Sequence, residues 1–225
     1  MADHKNSRTG ASAPNISIVS SSTKGILLDL DNTLYDYEPC HTHAVKKCHA
    51  FFNRTVRKIS FDKFNALYMD ARRAVKKHNR HTVGSRSRHL YFQFMLENEL
   101  GASDVKNALR LGDIYWKAFL KKMARRPWVL KFLKDAKKRG IKIAVVTNLE
   151  SSIQYKKLLR LAVADLVDFV VTSEEAGIEK PDPKIYRIAL DKIGMMPDDV
   201  VMIGDNPKED AVGAKNAGIS FVLCG

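Results

Sequence analysis

Gly25–Asp36 reads GILLDLDNTLYD. Ile26, Leu27, Leu28 and Leu30 form an apolar run without polar alternation, the pattern of a strand covered on both faces of a parallel sheet. The run ends in two carboxylates one residue apart, Asp29 and Asp31, followed by Asn32 and Thr33, which suit a turn. In open α/β sheets, ligands bind beyond the carboxyl ends of the strands. A strand of this kind therefore delivers both aspartates to the edge where chemistry takes place.

Four further runs have the same character: Lys142 to Thr147, Phe169 to Thr172, Val200 to Ile203 and Ser220 to Leu223. Helical segments with clear punctuation lie between them. Pro127 opens one that Gly140 stops, Pro183 opens one that ends near Gly194, and Pro207 opens one closed by Gly218. This alternation predicts an α/β fold with a doubly wound parallel sheet. The fifth strand ends just before Gly225, leaving the sheet edge either without a final helix or covered by a partner.

Tyr37 to Arg126 breaks the pattern, with helical runs at about Pro39 to Phe52, Phe61 to His78, Ser87 to Leu100 and Asp104 to Met123. It is expected to be an all-helical insertion between the first and second strands. The resulting division is a disordered tail over 1–23, a core over 24–36 and 127–225, and a helical cap over 37–126. The Leu90, Tyr91, Phe94 and Met95 stripe reads as helix packing.

The chain carries net charge +13, and Asp36 to Arg126 holds 20 Lys and Arg against 8 Asp and Glu, so nearly all the excess lies in the helical segment. Its three cysteines make no disulfide framework, which fits a reducing compartment. Cys40, His41, His43, Cys48 and His49 crowd together, but helical periodicity spreads them over more than one face, so buried thiols are expected there and not a zinc site. No stretch is long and apolar enough to cross a bilayer. A cytoplasmic protein is expected. The N-terminal tail weakly resembles a transit peptide but has no amphipathic stripe.

Polar residues with complementary chemistry follow three of the other strands. Thr147 and Asn148 follow KIAVV, Lys180 lies in GIEKPDP after the third strand, and GDNPKED places Asp205 and Asp210 after VVMI. Singly, each has a plainer reading: helix caps for the aspartates and a solvated loop lysine for Lys180. Jointly, they resemble the four ordered motifs of the haloacid dehalogenase (HAD) superfamily, from Gly25 to the C-terminus. The first is Asp29, Leu30, Asp31, Asn32, Thr33, the second Thr147, the third Lys180, and the fourth Gly204, Asp205 and Asp210.

The resemblance implies a Rossmann-like core and a phosphate-handling enzyme, because the dehalogenases of the superfamily generally lack the second aspartate that Asp31 supplies. It implies Mg²⁺ held by the side chains of Asp29 and Asp205 and the backbone carbonyl of Asp31, with Asp210 supporting the metal or pairing with Lys180. The cation overcomes the repulsion between a phosphate dianion and a carboxylate nucleophile. Asp29 would attack phosphorus and form an aspartyl phosphate, and Asp31 would serve as acid and then base. Crowding of carboxylates is expected to keep Asp31 protonated when substrate arrives. Thr147, Asn148 and Lys180 would bind the phosphoryl oxygens.

The basic cap points to a substrate with more negative charge than one phosphate, or to an anionic macromolecular partner. Its densest stretch, KKHNRHTVGSRSRH from Lys76 to His89, offers Arg86, Arg88 and His89 as specificity residues, and Ser85 or Ser87 as a helix cap. The expected function is a Mg²⁺-dependent phosphomonoester hydrolase acting on a small anionic phosphorylated metabolite. A sugar phosphomutase is one alternative. The other is a non-catalytic relative that binds nucleic acid or a phosphoprotein, against which stands the lack of aromatic interleaving among the basic residues.

Overall fold

The computed structural model describes residues 19–80 and 82–224. Five parallel strands, β1 (Gly25–Leu28), β2 (Lys142–Thr147), β3 (Phe169–Thr172), β4 (Val200–Gly204) and β5 (Ser220–Leu223), form one sheet in the order β3-β2-β1-β4-β5. β1 is central and fully buried. Its residues alternate between the two layers that cover the sheet. Ile26 and Leu28 join one apolar cluster with Ile143, Val145 and Ile203, whereas Leu27 joins another with Val146, Met202 and Tyr186. β1 stops at Leu28, so Leu30 belongs to the loop beyond it, where it remains wholly buried.

Between β1 and β2 the chain forms α1 (Tyr37–Thr55), α2 (Phe61–His78), α3 (Arg88–Leu100), α4 (Val105–Lys122) and α5 (Val129–Lys138). Ser60, Ser87 and Asp104 cap α2, α3 and α4 by accepting backbone N–H bonds at Lys63, Leu90 and Asn107. Phe52, Phe64, Tyr68, Phe92 and Phe119 of the insertion are continuous with the apolar layer on one face of the sheet. That shared core seats the insertion above the carboxyl ends of the strands.

The remaining helices are α6 (Ser151–Arg160), α7 (Ser173–Ala176), α8 (Pro183–Ile193) and α9 (Val212–Asn216), the last preceded by a π turn over Pro207–Ala211. α6 has little signature in the sequence, because SSIQYKKLLR has charged residues on its apparent outer face and no start signal beyond its serines. Of the expected tail, residues 1–18 lie outside the described residues. Val19 is buried in the core, and Arg139 donates to the carbonyls of Val19 and Ser20, so the chain is already anchored before residue 23.

Cys40 and Cys48 are buried, and the Cys48 thiol donates to the Leu111 carbonyl. His41 Nδ1 pairs with the Tyr115 hydroxyl, and His49 Nε2 lies against the Ile59 carbonyl. Among the described residues no helix is long and apolar enough to cross a membrane.

Candidate active site

The chain after β1 turns sharply at Asn32, whose φ of 65° lies in the left-handed region that asparagine tolerates better than most residues. This turn keeps Asp29 at the mouth of the sheet, its N–H donating to the Ile203 carbonyl of the neighbouring strand at 2.9 Å. Thr33 Oγ1 donates to Asp29 Oδ2 at 2.8 Å, which orients the carboxylate.

Lys180 reaches the same point from the loop after β3. Its Nζ, almost completely buried, lies 2.6 Å from Asp29 Oδ1, 2.6 Å from Asp210 Oδ1 and 3.0 Å from the Val146 carbonyl. Asn148 holds the lysine loop by accepting the Lys180 N–H at 2.8 Å. Asp210 also accepts the Asn206 N–H, and its carboxylate occupies the space where a Cβ on Gly204 would sit, 2.3 Å from Oδ2. Glycine at 204 is therefore a packing requirement of the fourth motif.

Carboxylate oxygens of Asp29, Asp205 and Asp210 lie within 4.8 Å of one another, the one group of potential metal ligands among the described residues. Asp205 accepts from Asn32 Nδ2 at 2.7 Å and has no cationic partner among the described residues. When all three are ionised, three carboxylates against one ammonium leave two negative charges, which one divalent cation balances, and the all-oxygen donor set suits Mg²⁺. Burial pushes the Asp29 carboxyl up to about 7, with Lys180 opposing and Asp210 adding to the rise. The donor set thus fits a hard divalent ion, with Asp210 shared between the cluster and Lys180.

Asp31 behaves differently from the expectation that crowding keeps it protonated. Its carboxylate turns away from the cluster to Lys157 of α6, with Nζ at 2.6 and 2.8 Å, and also accepts the Tyr35 hydroxyl. Burial opposes the charge, but the Lys157 ammonium and these donors hold Asp31 below the usual carboxylate range. The shift has the opposite sign because the side chain meets a buried cation before it meets Asp29.

Thr147 ends β2 and is buried. Its hydroxyl accepts from Gln154, which also donates to the Asn148 carbonyl. Leu149 has a φ of 135°, a rare conformation for a residue with a side chain, and its N–H donates to Ser173 Oγ. Strain of this kind persists where the surroundings over-determine it, here beside the cluster.

A cavity of about 210 Å³ joins this carboxylate end to the insertion, and Asp29, Asp31, Thr147, Asn148, Lys180 and Asp205 all line it. The opposite wall is Tyr37, Arg72, Lys76, Arg86, Arg88 and Tyr91. Of the three expected specificity residues, Arg86 and Arg88 reach the cavity and His89 does not. His89 packs over Gly112, with Nε2 3.7 Å from Asp113. Arg86 spans from insertion to core, donating to Glu179 at 2.8 Å and Glu209 at 2.6 Å, while Ser85 Oγ donates to Glu179 at 2.8 Å.

Several of these residues carried no local signal. Lys157 sits among the charged residues of an amphipathic-looking segment, and Glu179, Glu209, Arg72 and Lys76 look solvated in sequence. Only the i, i+3 spacing of Gln154 and Lys157 hinted that they share a face of α6.

The model of the haloacid dehalogenase-like hydrolase family matches residues 23–218. The chain belongs to the haloacid dehalogenase-like hydrolases. A ribulose-1,5-bisphosphate 5-phosphatase of Halopiger xanaduensis is 38% identical over 200 residues, covering 88% of this chain and 83% of that protein. A glyceraldehyde 3-phosphate phosphatase of Methanocaldococcus jannaschii is 28% identical over 200 residues, with the same shares of the two chains. Solved structures of this family share the fold. A HAD phosphatase from Thermococcus onnurineus superposes with a TM-score of 0.70 at 23% identity, over 90% of this chain and 86% of that one. A HAD hydrolase from Bacillus subtilis, bound to magnesium, gives 0.68 at 18% identity, over 89% and 88%. The helical insertion between β1 and β2 occupies the position of the cap in capped HAD phosphatases.

Proposed function

We propose that this HAD-like hydrolase is a Mg²⁺-dependent phosphatase that releases phosphate from a small phosphorylated metabolite by way of an aspartyl phosphate on Asp29. The observation that carries the reading is the meeting of Asp29, Asp205 and Asp210, with Lys180 paired to the first and last, at the strand ends and at the floor of a cavity. Asp29, Asp205 and the backbone carbonyl of Asp31 would hold Mg²⁺. When bound, the ion neutralises the charge between phosphate and carboxylate and draws electron density from phosphorus.

Asp29 Oδ2 is oriented by Thr33 and forms the new bond to phosphorus as the ester oxygen departs with its electron pair. Lys180 offsets the charge on the phosphoryl oxygens, and Thr147 and Asn148 donate to them. Asp31 supplies a proton to the departing oxygen and, in the second step, removes one from the water that breaks the Asp29 acyl phosphate. The ion pair with Lys157 suits the second of these roles directly. The first requires the Asp31 carboxyl to leave Lys157 and take up a proton in the presence of substrate.

A cavity of this size suits a small metabolite. Ribulose 1,5-bisphosphate and glyceraldehyde 3-phosphate, the compounds named for the relatives, are the first candidates. The test is phosphate release from a panel of sugar phosphates, with Mg²⁺ and with EDTA, beside Asp29→Asn. Turnover that requires Mg²⁺ and drops at least about 1,000-fold in Asp29→Asn is expected, since the nucleophile is lost. Turnover retained in that variant would remove Asp29 from the chemistry.

A further inference from the structure

We propose that Arg72, Lys76 and Arg88 form a subsite in the insertion for a second anionic group of the substrate, so that the enzyme takes metabolites with two anionic ends. The proposal rests on the phosphatase reading and specifies which substrates that site accepts.

Arg88 carries the argument. It is 8% exposed, and its guanidinium lies 4.9 Å from the ring centre of Trp116, 5.1 Å from Tyr115 and 5.4 Å from Tyr91. It donates to the Tyr37 hydroxyl at 2.6 Å and to the Arg86 carbonyl, while its Nε has no hydrogen-bond partner among the described residues. No carboxylate of the described residues forms an ion pair with it. Aromatic faces and neutral oxygens recover part of the hydration that a buried guanidinium loses, yet buried cations are ordinarily paired with an anion. A side chain that reaches the cavity under these conditions fits an anion that arrives with the ligand.

Arg72 and Lys76 strengthen the case independently. They stand four residues apart on one face of α2 and line the same wall, a like-charged arrangement that weakens a helix unless something offsets it. Neither makes an ion pair among the described residues. The nearby carboxylates, Glu179 and Glu209, are both taken by Arg86. Burial brings Lys76 down to about 8, with Arg86 and Arg72 adding to the fall and Glu179 and Glu209 opposing it, and burial brings His41 down to about 4, with Arg88 and Arg72 adding. The cavity therefore has a carboxylate pole that suits a metal-bound phosphoryl group and a cationic pole in the insertion. Arg86, tied to two glutamates, serves closure and not the second anion.

The second group is a phosphate or a carboxylate, and the probes separate them. Ribulose 1,5-bisphosphate, 3-phosphoglycerate and, as singly phosphorylated control, ribulose 5-phosphate are compared in wild type, Arg72→Ala and Lys76→Ala by kcat and KM. The wild type should favour one of the two doubly anionic compounds over the control by at least tenfold in kcat/KM. In each variant that ratio should fall by at least tenfold, chiefly through KM. Calorimetric titration of the Asp29→Asn protein, alone and combined with either substitution, reads the same preference without turnover. Arg88→Lys, which keeps the charge but loses the fork, should lower the ratio too, and is interpreted beside its unfolding midpoint.

No preference for either doubly anionic compound in the parent proteins, or equal losses for them and the control, overturns the subsite. Absence of phosphate release from every ester, with the calorimetric preference intact, overturns the phosphatase reading and leaves the subsite standing.

Discussion

Lys157 Nζ, with no solvent exposure, lies 2.6 and 2.8 Å from the two carboxylate oxygens of Asp31. The pair fixes the side chain two residues beyond the proposed nucleophile. Removing one member of a buried pair leaves the other without its counter-charge, at a cost of about 3 kcal/mol. Lys157→Met should destabilise the protein by that order in urea unfolding. It should also free Asp31 to take up a proton, so that kcat falls less for an alkyl phosphate, whose leaving oxygen needs that proton, than for p-nitrophenyl phosphate, whose leaving group does not. Equal losses on the two substrates would reduce Lys157 to a structural role.

Asp205 has Asn32 as its partner and no cation to offset it among the described residues. Mg²⁺ that binds only the folded protein raises stability by about 1.4 kcal/mol at tenfold excess over its Kd. Thermal unfolding of wild type should therefore move upward with Mg²⁺, and Asp205→Asn should lose most of that response. A full Mg²⁺ shift in the variant would place the ion elsewhere.

Arg86 joins the 3₁₀ turn Val83–Arg86 to the core through Glu179 and Glu209. Charge-assisted bonds of this kind contribute about 1.5–3 kcal/mol each. Arg86→Ala should speed amide hydrogen exchange over Ser85 to Tyr91 by at least about tenfold, since local opening there loses its main tether. KM should rise for every phosphate ester. Unchanged protection in this segment would show that the insertion is held by its apolar core alone.

His41 predicts a pH dependence of stability. Burial, then Arg88 and Arg72, lower it from 6.5 to about 4. The unfolded chain therefore binds the proton more readily, and stability rises with pH between about 4 and 6.5 and is level above that. Fully developed, the difference is of order 3 kcal/mol. His41→Gln, which can still bond Tyr115, should be favoured relative to wild type as pH falls from 6.5 to 4.5. Parallel stability curves for the two proteins would contradict the burial of a neutral imidazole.

The five strands, the helical insertion between the first two and the polar residues that follow four of the strands were all legible in the linear chain. Hydrophobic runs, proline starts and glycine stops are local properties, and a strand end carries its flanking residues with it wherever the sheet forms. The sequence therefore sufficed to place Asp29, Thr147, Lys180, Asp205 and Asp210 toward one edge of the sheet, where they line one cavity. The partners that set their charge were not legible in this way. Asp31 faces Lys157 across 126 positions, and Arg86 faces Glu179 and Glu209 across 93 and 123. A lysine on a charged helix face and a glutamate in a loop look the same in sequence whether they meet water or a buried opposite charge. Which of them occurs depends on how α6 and the insertion pack over the strand ends. That packing also separates Arg88, enclosed by aromatic rings and open to the cavity, from His89, one residue away and facing Asp113.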